Sequence, residues 1–294
     1  MKLQGIYPPI ATPFNYEGEL FKAKVFHNVN KLNRTALSGY CVCGSTGESV
    51  HLTPEEKYTL WGWVAEATAT DRLLIAGTGV ESVRETVALT NKAAEIGYKL
   101  AMVRTPHYYK NLINNTEAQV RYFGAVADQA KLPLMIYNWP QTTGVDISVE
   151  AVVRLSEHPN VIAIKESSSD LEKLKALIAQ VKPGFQVLTG SAPGLWKGLE
   201  AGAVGAVLAF ANAAPYACIT IWEAFRTRQP EAAEDWQQRI TPAALAVTVK
   251  YGIPGLKYAM DLNGYYGGPP RMPLIPIGEA AKREIEEAFH EIRG

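Results

Sequence analysis

The chain has 294 residues, 47% of them hydrophobic, and its 29 lysines plus arginines equal its 29 aspartates plus glutamates. That supplies one large core or two smaller ones, and the even charge balance argues against nucleic acid as a partner. The start of the chain lacks a long apolar stretch, the run 201–210 is too short to span a bilayer, and Cys41, Cys43 and Cys218 make no disulfide framework, so a cytoplasmic protein without a membrane partner is expected.

Short apolar runs rich in β-branched residues alternate with amphipathic helical segments. Strands are predicted over 5–10, 39–43, 73–77, 100–104, 133–137, 161–165, 186–189 and 206–209. Their spacing of about 20 to 35 residues suits a strand plus a crossover helix, so a (β/α)8 TIM barrel is expected over residues 1–228. Near-continuous apolar strands favour the closed barrel over an open sheet. Helix starts are marked by Thr53-Pro54-Glu55-Glu56, by Ser82 with Glu85, and by Thr116 with Gln119, each with capping-box spacing. Val83, Val87, Thr90 and Ala94 form a stripe at helical spacing and read as core, with Gly97 as the stop. After the helix predicted over 215–227, three more over 230–250, 253–263 and 277–292 follow with no strand between them. They read as a C-terminal helical extension over 229–294.

In a barrel of this kind, reactive groups sit at the C-terminal ends of the strands. Strand two ends in Gly44-Ser45-Thr46-Gly47-Glu48, a small-residue turn whose hydroxyls and free N–H groups suit a carboxylate, or an ordinary strand-to-helix turn. Strand four ends in Thr105-Pro106-His107-Tyr108-Tyr109 and strand five in Tyr137-Asn138-Trp139-Pro140. Strand six, Val161-Ile162-Ala163-Ile164, ends on Lys165. An ammonium there either reaches water or is held in a pocket, where desolvation lowers its pKa and frees a neutral amine to attack a ketone. Tyr137, one strand away, is a phenol able to move protons for that amine, or a structural tyrosine. Strand seven ends in Gly190-Ser191, a place where many barrels hold phosphate, but too generic a feature to assign. The histidines 27, 51, 107, 158 and 290 show no i,i+4 pair, so no metal site is expected. Gly77-Thr78-Gly79-Val80-Glu81-Ser82 fails the dinucleotide fingerprint at its last position.

The three motifs at Gly44–Glu48, Tyr137–Pro140 and Lys165-Glu166-Ser167, in that order, resemble those of the dihydrodipicolinate synthase / N-acetylneuraminate lyase family of Schiff-base aldolases. The resemblance runs from Pro9–Phe14 to the C-terminal helices. It looks closest to the 4-hydroxy-2-oxoglutarate aldolase branch, through Gly252–Lys257, Met260-Asp261, Gly264–Pro269 and His158–Val161. The resemblance implies that Lys165 forms an imine with pyruvate or another 2-oxo acid, with no metal or organic cofactor, and that Tyr137 moves the protons. It implies that Ser45 and Thr46 hold the pyruvate carboxylate, that Ser167 contacts a substrate hydroxyl, and that Gly190 and the backbone around Val207 line the pocket. It further implies that Tyr108 enters a neighbouring subunit's site, within a homo-oligomer built as a dimer of dimers.

One departure matters. Synthase members carry an arginine two residues after the proline of the Tyr137–Pro140 motif, and here Thr142 stands there, unable to give a bidentate charged grip. His107, where synthases often have tyrosine, points the same way. The expected reaction is cleavage of 4-hydroxy-2-oxoglutarate to pyruvate and glyoxylate. The alternative is 4-hydroxy-tetrahydrodipicolinate synthase, condensing pyruvate with aspartate semialdehyde. A remote alternative is a non-catalytic 2-oxo-acid binding protein.

Overall fold

The computed structural model describes residues 1–292; Arg293 and Gly294, the end of the expected extension, lie outside the described residues. Eight parallel strands follow one another around the barrel: β1 (Gly5–Tyr7), β2 (Gly39–Val42), β3 (Leu73–Gly77), β4 (Leu100–Arg104), β5 (Leu134–Asn138), β6 (Val161–Glu166), β7 (Gln186–Thr189) and β8 (Gly205–Val207). Helices connect successive strands, and the architecture is the expected (β/α)8 TIM barrel with C-terminal helices.

The seam between β1 and β2 carries the largest difference from the sequence reading. The first strand ends at Tyr7 rather than residue 10, because Pro8 and Pro9 have no N–H to give to a ladder. The gap is closed by single bonds, from Ser38 N to Ile6 O (3.0 Å), Cys41 N to Pro8 O (3.0 Å) and Ile10 N to Cys41 O (2.7 Å). At the other end of the chain order, β8 runs Gly205–Val207, and residues Ala209–Asn212 wind into a 3-10 turn.

Strand alternation sorts the apolar residues into two cores. Leu3, Tyr7, Cys41, Ile75, Leu100, Met102, Met135, Tyr137, Ala163, Leu188 and Val207 fill the barrel interior. Their neighbours along the strands, such as Val42, Val103, Ile136 and Ile164, pack outward under the helices. On β6 the inward positions are therefore Ala163 and then Lys165.

The caps at Thr53 and Ser82 form as read, each side chain accepting from the N–H three residues on, and at Thr53 the Glu56 side chain completes the capping box. The third cap is Asn115, not Thr116, and its side chain accepts from Ala118 N. The stripe on Val83–Ile96 is rotated from the one read: Thr86, Leu89, Thr90 and Ala93 are buried, and only Thr90 is shared. Thr86 and Thr90 bury because each hydroxyl has a partner, Tyr122 at 2.9 Å and Thr78 at 2.8 Å.

After the helix Pro215–Arg226 come Pro230–Leu245, Gly252–Leu262 and Glu279–Ala288. The helix expected over 230–250 gives way at Leu245 to a π-helical turn, Ala246–Lys250, a local unwinding that is frequent at functional sites. The extension is tied to the barrel through a buried ion pair. Lys257 Nζ lies 2.7 Å from Glu48 Oε1 and also donates to the carbonyls of Thr12 and Pro269, both at 2.9 Å. Arg271 N donates to the other oxygen of Glu48 at 2.8 Å, and its guanidinium pairs with both oxygens of Glu56. No helix is long and apolar enough to cross a membrane among the described residues.

Candidate active site

At the C-terminal end of the barrel, β5 and β6 set Tyr137 opposite Lys165 in register. Both side chains are 5% exposed, and the Lys165 ammonium nitrogen lies 4.0 Å from the centre of the Tyr137 ring. Small Ala163 sits one inward position below Lys165, which leaves the longer chain room to fold over the barrel core. Burial pulls the Lys165 pKa down from its ordinary 10.5 to about 8, opposed only in part by the charge interaction with Cys41. Burial also pushes the Tyr137 phenol well above its ordinary value, offset in part by a hydrogen bond with Ser45. The result is a weakly basic amine beside a protonated phenol near neutral pH, an arrangement suited to forming an imine and moving its protons.

The turn after β2 is built by backbone constraint. Cys43 and Glu48 on either side of the 3-10 turn Ser45–Gly47 take positive φ angles of 60° and 55°. Left-handed backbone at residues other than glycine costs free energy, so something must hold it. The Glu48–Lys257 pair anchors one end, and the Thr12 hydroxyl donates to Gly47 O at 2.6 Å beside it. Thr46 is thereby kept on the cavity wall, with Ser45 behind it on the Tyr137 phenol.

The cavity over these groups has a volume of about 450 Å³. Gly190 is required on its wall. A Cβ there would stand 1.8 Å from Ser167 Oγ and 2.9 Å from Lys165 Cε. The Ser167 hydroxyl is buried and finds no hydrogen-bond partner among the described residues. Among the described residues, no group of three or more His, Cys, Asp or Glu side chains is placed to hold a metal ion.

The structure thus brings Thr46, Tyr137, Lys165, Ser167 and Gly190 to one cavity, with Ser45 one bond behind. Two other expected positions do not line this cavity, as is expected for Tyr108 if it serves a neighbouring subunit. Val207 is wholly buried inside the barrel and does not line the cavity; Ala209, two residues on, does, because the chain leaves the strand after Val207. Tyr108 is 78% exposed, packed edge-on against Tyr109 with ring centres 5.0 Å apart, and is not on the cavity wall of its own chain.

Three contributors were not singled out from the sequence. Trp139 stacks on Tyr137 at 6.2 Å and lines the cavity. Glu166 is buried and held by Asn138 Nδ2 (3.1 and 2.9 Å) and Ser168 N (2.6 Å), with Lys173 3.7 Å away. Its position directly after Lys165 was the available signal. The third is a wall from the C-terminal helices, including Val247, Ile253 and Leu256. Nothing in a local motif marks it.

The family model of the dihydrodipicolinate synthetase family matches residues 2–292. The chain belongs to this family. It is 32% identical to a 4-hydroxy-tetrahydrodipicolinate synthase from an Exiguobacterium strain, over 98% of this chain and 99% of the relative. It is 33% identical to a protein of Emericella nidulans named "Probable 4-hydroxy-2-oxoglutarate aldolase, mitochondrial", over 98% of this chain and 94% of that one. The crystal structure of dihydrodipicolinate synthase DapA-2 from Bacillus anthracis superposes with a TM-score of 0.94, at 29% identity and 99% coverage of both chains. As a member of the dihydrodipicolinate synthetase family, the chain is a pyruvate-dependent aldolase.

Proposed function

We propose that Lys165 is the amine on which this aldolase builds its pyruvate imine. The observation that carries this is the buried, depressed amine of Lys165 set against the Tyr137 phenol. The neutral amine adds to the pyruvate ketone, and the carbinolamine loses water to give the imine. Tyr137 passes the protons, with Ser45 fixing its hydroxyl. The carboxylate of pyruvate fits the Ser45–Thr46 turn, where hydroxyls and turn N–H groups offer donors. A protonated imine accepts electrons far better than a ketone, so loss of a C3 proton gives an enamine. That enamine attacks an aldehyde to form the C3–C4 bond, and the same steps reversed break it. To Ser167 falls the contact with the oxygen formed at C4, a role supported by its buried hydroxyl having no other partner among the described residues.

Borohydride with pyruvate tests the reading: a reduced adduct of pyruvate on Lys165 is expected by peptide mass spectrometry. Full pyruvate affinity in Lys165→Ala would instead support a 2-oxo-acid binder. Tyr108 is proposed to complete the relay in a neighbouring subunit, which its exposure permits. A Tyr108→Phe change that lowers imine formation without altering the oligomer would support it.

For the second reactant, two of the three relatives described bear the synthase name, which gives condensation with aspartate semialdehyde more support than cleavage of 4-hydroxy-2-oxoglutarate. The observation on the other side is Thr142, exposed and off the cavity wall where synthase members carry an arginine. Thr142→Arg should improve use of aspartate semialdehyde if the rest of the site suits it. No gain would mean that the missing guanidinium is not what discriminates.

A further inference from the structure

The wall that faces the pyruvate end of the cavity is apolar. Leu171 and Leu174 come from the helix after β6, Val247 from the π-helical turn, and Ile253 and Leu256 from the helix beyond it. Leu174, Val247 and Leu256 are at most 4% exposed, so this is a built surface and not a solvated rim.

Apart from Ser167, whose hydroxyl has no partner among the described residues, the polar side chains beside this wall are engaged with the protein. Thr248 Oγ1 donates to Ala244 O at 2.6 Å, and Ser169 and Ser191 meet each other at 3.3 Å. Asp170 caps its helix through Lys173 N at 3.0 Å, and Glu166 is held by Asn138 and Ser168 N. Among the described residues no arginine lines the cavity. Apart from Lys165, the cation on its boundary is Lys197, exposed at the edge, where a solvated ammonium grips a carboxylate weakly. A second carboxylate pushed against Leu174 and Leu256 would be desolvated without a partner, which is costly.

We propose that the second reactant is an aldehyde whose body is uncharged and apolar, of branched-aliphatic or aromatic size, seated against Leu171, Leu174, Val247, Ile253 and Leu256. This rests on the pyruvate-imine reading above and sets the lining of the cavity against the two carboxylated second reactants that the relatives' names suggest. C3 of the Lys165-bound enamine forms a bond to the aldehyde carbon, whose π electrons go to its oxygen; that oxygen takes a proton near Ser167. Water then hydrolyses the imine, returning the Lys165 amine and releasing a 4-hydroxy-2-oxo acid with an apolar tail.

The test is a panel of 3-methylbutanal, benzaldehyde, glyoxylate and aspartate semialdehyde, each with pyruvate and the purified full chain. The expected result is kcat/KM for an apolar aldehyde at least about tenfold above both carboxylated ones. Ile253→Asp should lower that preference by about tenfold, read as the ratio between aldehydes on the same variant so that any general loss of activity cancels. A wild-type preference for glyoxylate or aspartate semialdehyde overturns the proposal, and its loss in Lys197→Met would give the grip to Lys197. An unchanged preference in Ile253→Asp overturns it too. Failure to trap pyruvate at all would overturn the imine reading beneath it, and so is distinguishable from a wrong aldehyde class.

Discussion

Replacing Lys165 by methionine should abolish imine formation and make the protein more stable. In the unfolded chain the amine has its ordinary pKa of 10.5, and in the fold it is held at about 8 by burial. A group whose charged form is penalised only in the fold destabilises the fold wherever the unfolded chain binds more protons. At ~1.4 kcal/mol per pH unit, the gap amounts to ~3 kcal/mol at pH 7. The Tyr137 ring, 4.0 Å from the ammonium, returns ~1 kcal/mol of cation–π attraction that methionine forfeits. Methionine is close to lysine in shape, so the cavity term is small. The net expectation is a gain of ~2 kcal/mol at pH 7, read as a rise in Tm of about 4 °C in scanning calorimetry. The penalty is full below pH 8 and fades as pH rises toward 10.5, so at pH 9.5, where the folded amine is neutral and has no cation–π attraction to forfeit, the gain falls to ~1 kcal/mol. A variant less stable than wild type at pH 7, or a gain equal at both pH values, would refute the claim that Lys165 is held in the fold against a desolvation cost.

Other outcomes follow from the same geometry. The rate of borohydride trapping should climb nearly tenfold from pH 6 to pH 7 and level off above the Lys165 pKa of about 8, because only the neutral amine attacks; a profile flat across that range contradicts the lowered value. Gly190→Ala should cut pyruvate trapping by about 100-fold, since the new methyl overlaps Ser167 Oγ and crowds Lys165 Cε, and a 1 Å misplacement of a reacting group has that effect. Near-normal trapping in that variant would mean that the wall yields easily. Glu48→Gln strands the Lys257 ammonium in a buried site and should cost roughly 3–5 kcal/mol in urea unfolding, with much of it regained in Glu48→Gln/Lys257→Met. A cost below about 1 kcal/mol would show that the Thr12 and Pro269 carbonyls suffice for Lys257.

Much of the barrel was legible because its signals are local. Alternating apolar runs, the Thr53 and Ser82 caps and the spacing between strands are set by steric and hydrogen-bonding rules over a few residues. So was the placing of Lys165, since an amine at the end of the run Val161–Ile164 already demands an explanation. The tertiary structure decided what depends on residues far apart in the chain. It chose which face of Val83–Ile96 is buried, because Tyr122 and Thr78 satisfy the hydroxyls of Thr86 and Thr90. It paired Glu48 with Lys257 across more than 200 positions and so fixed the turn that carries Thr46. It also swung Val247, Ile253 and Leu256 over the mouth of the barrel. A short motif records the chemistry of one strand end, whereas the far wall of a cavity is made by whichever helices pack there, and packing is a property of the whole chain.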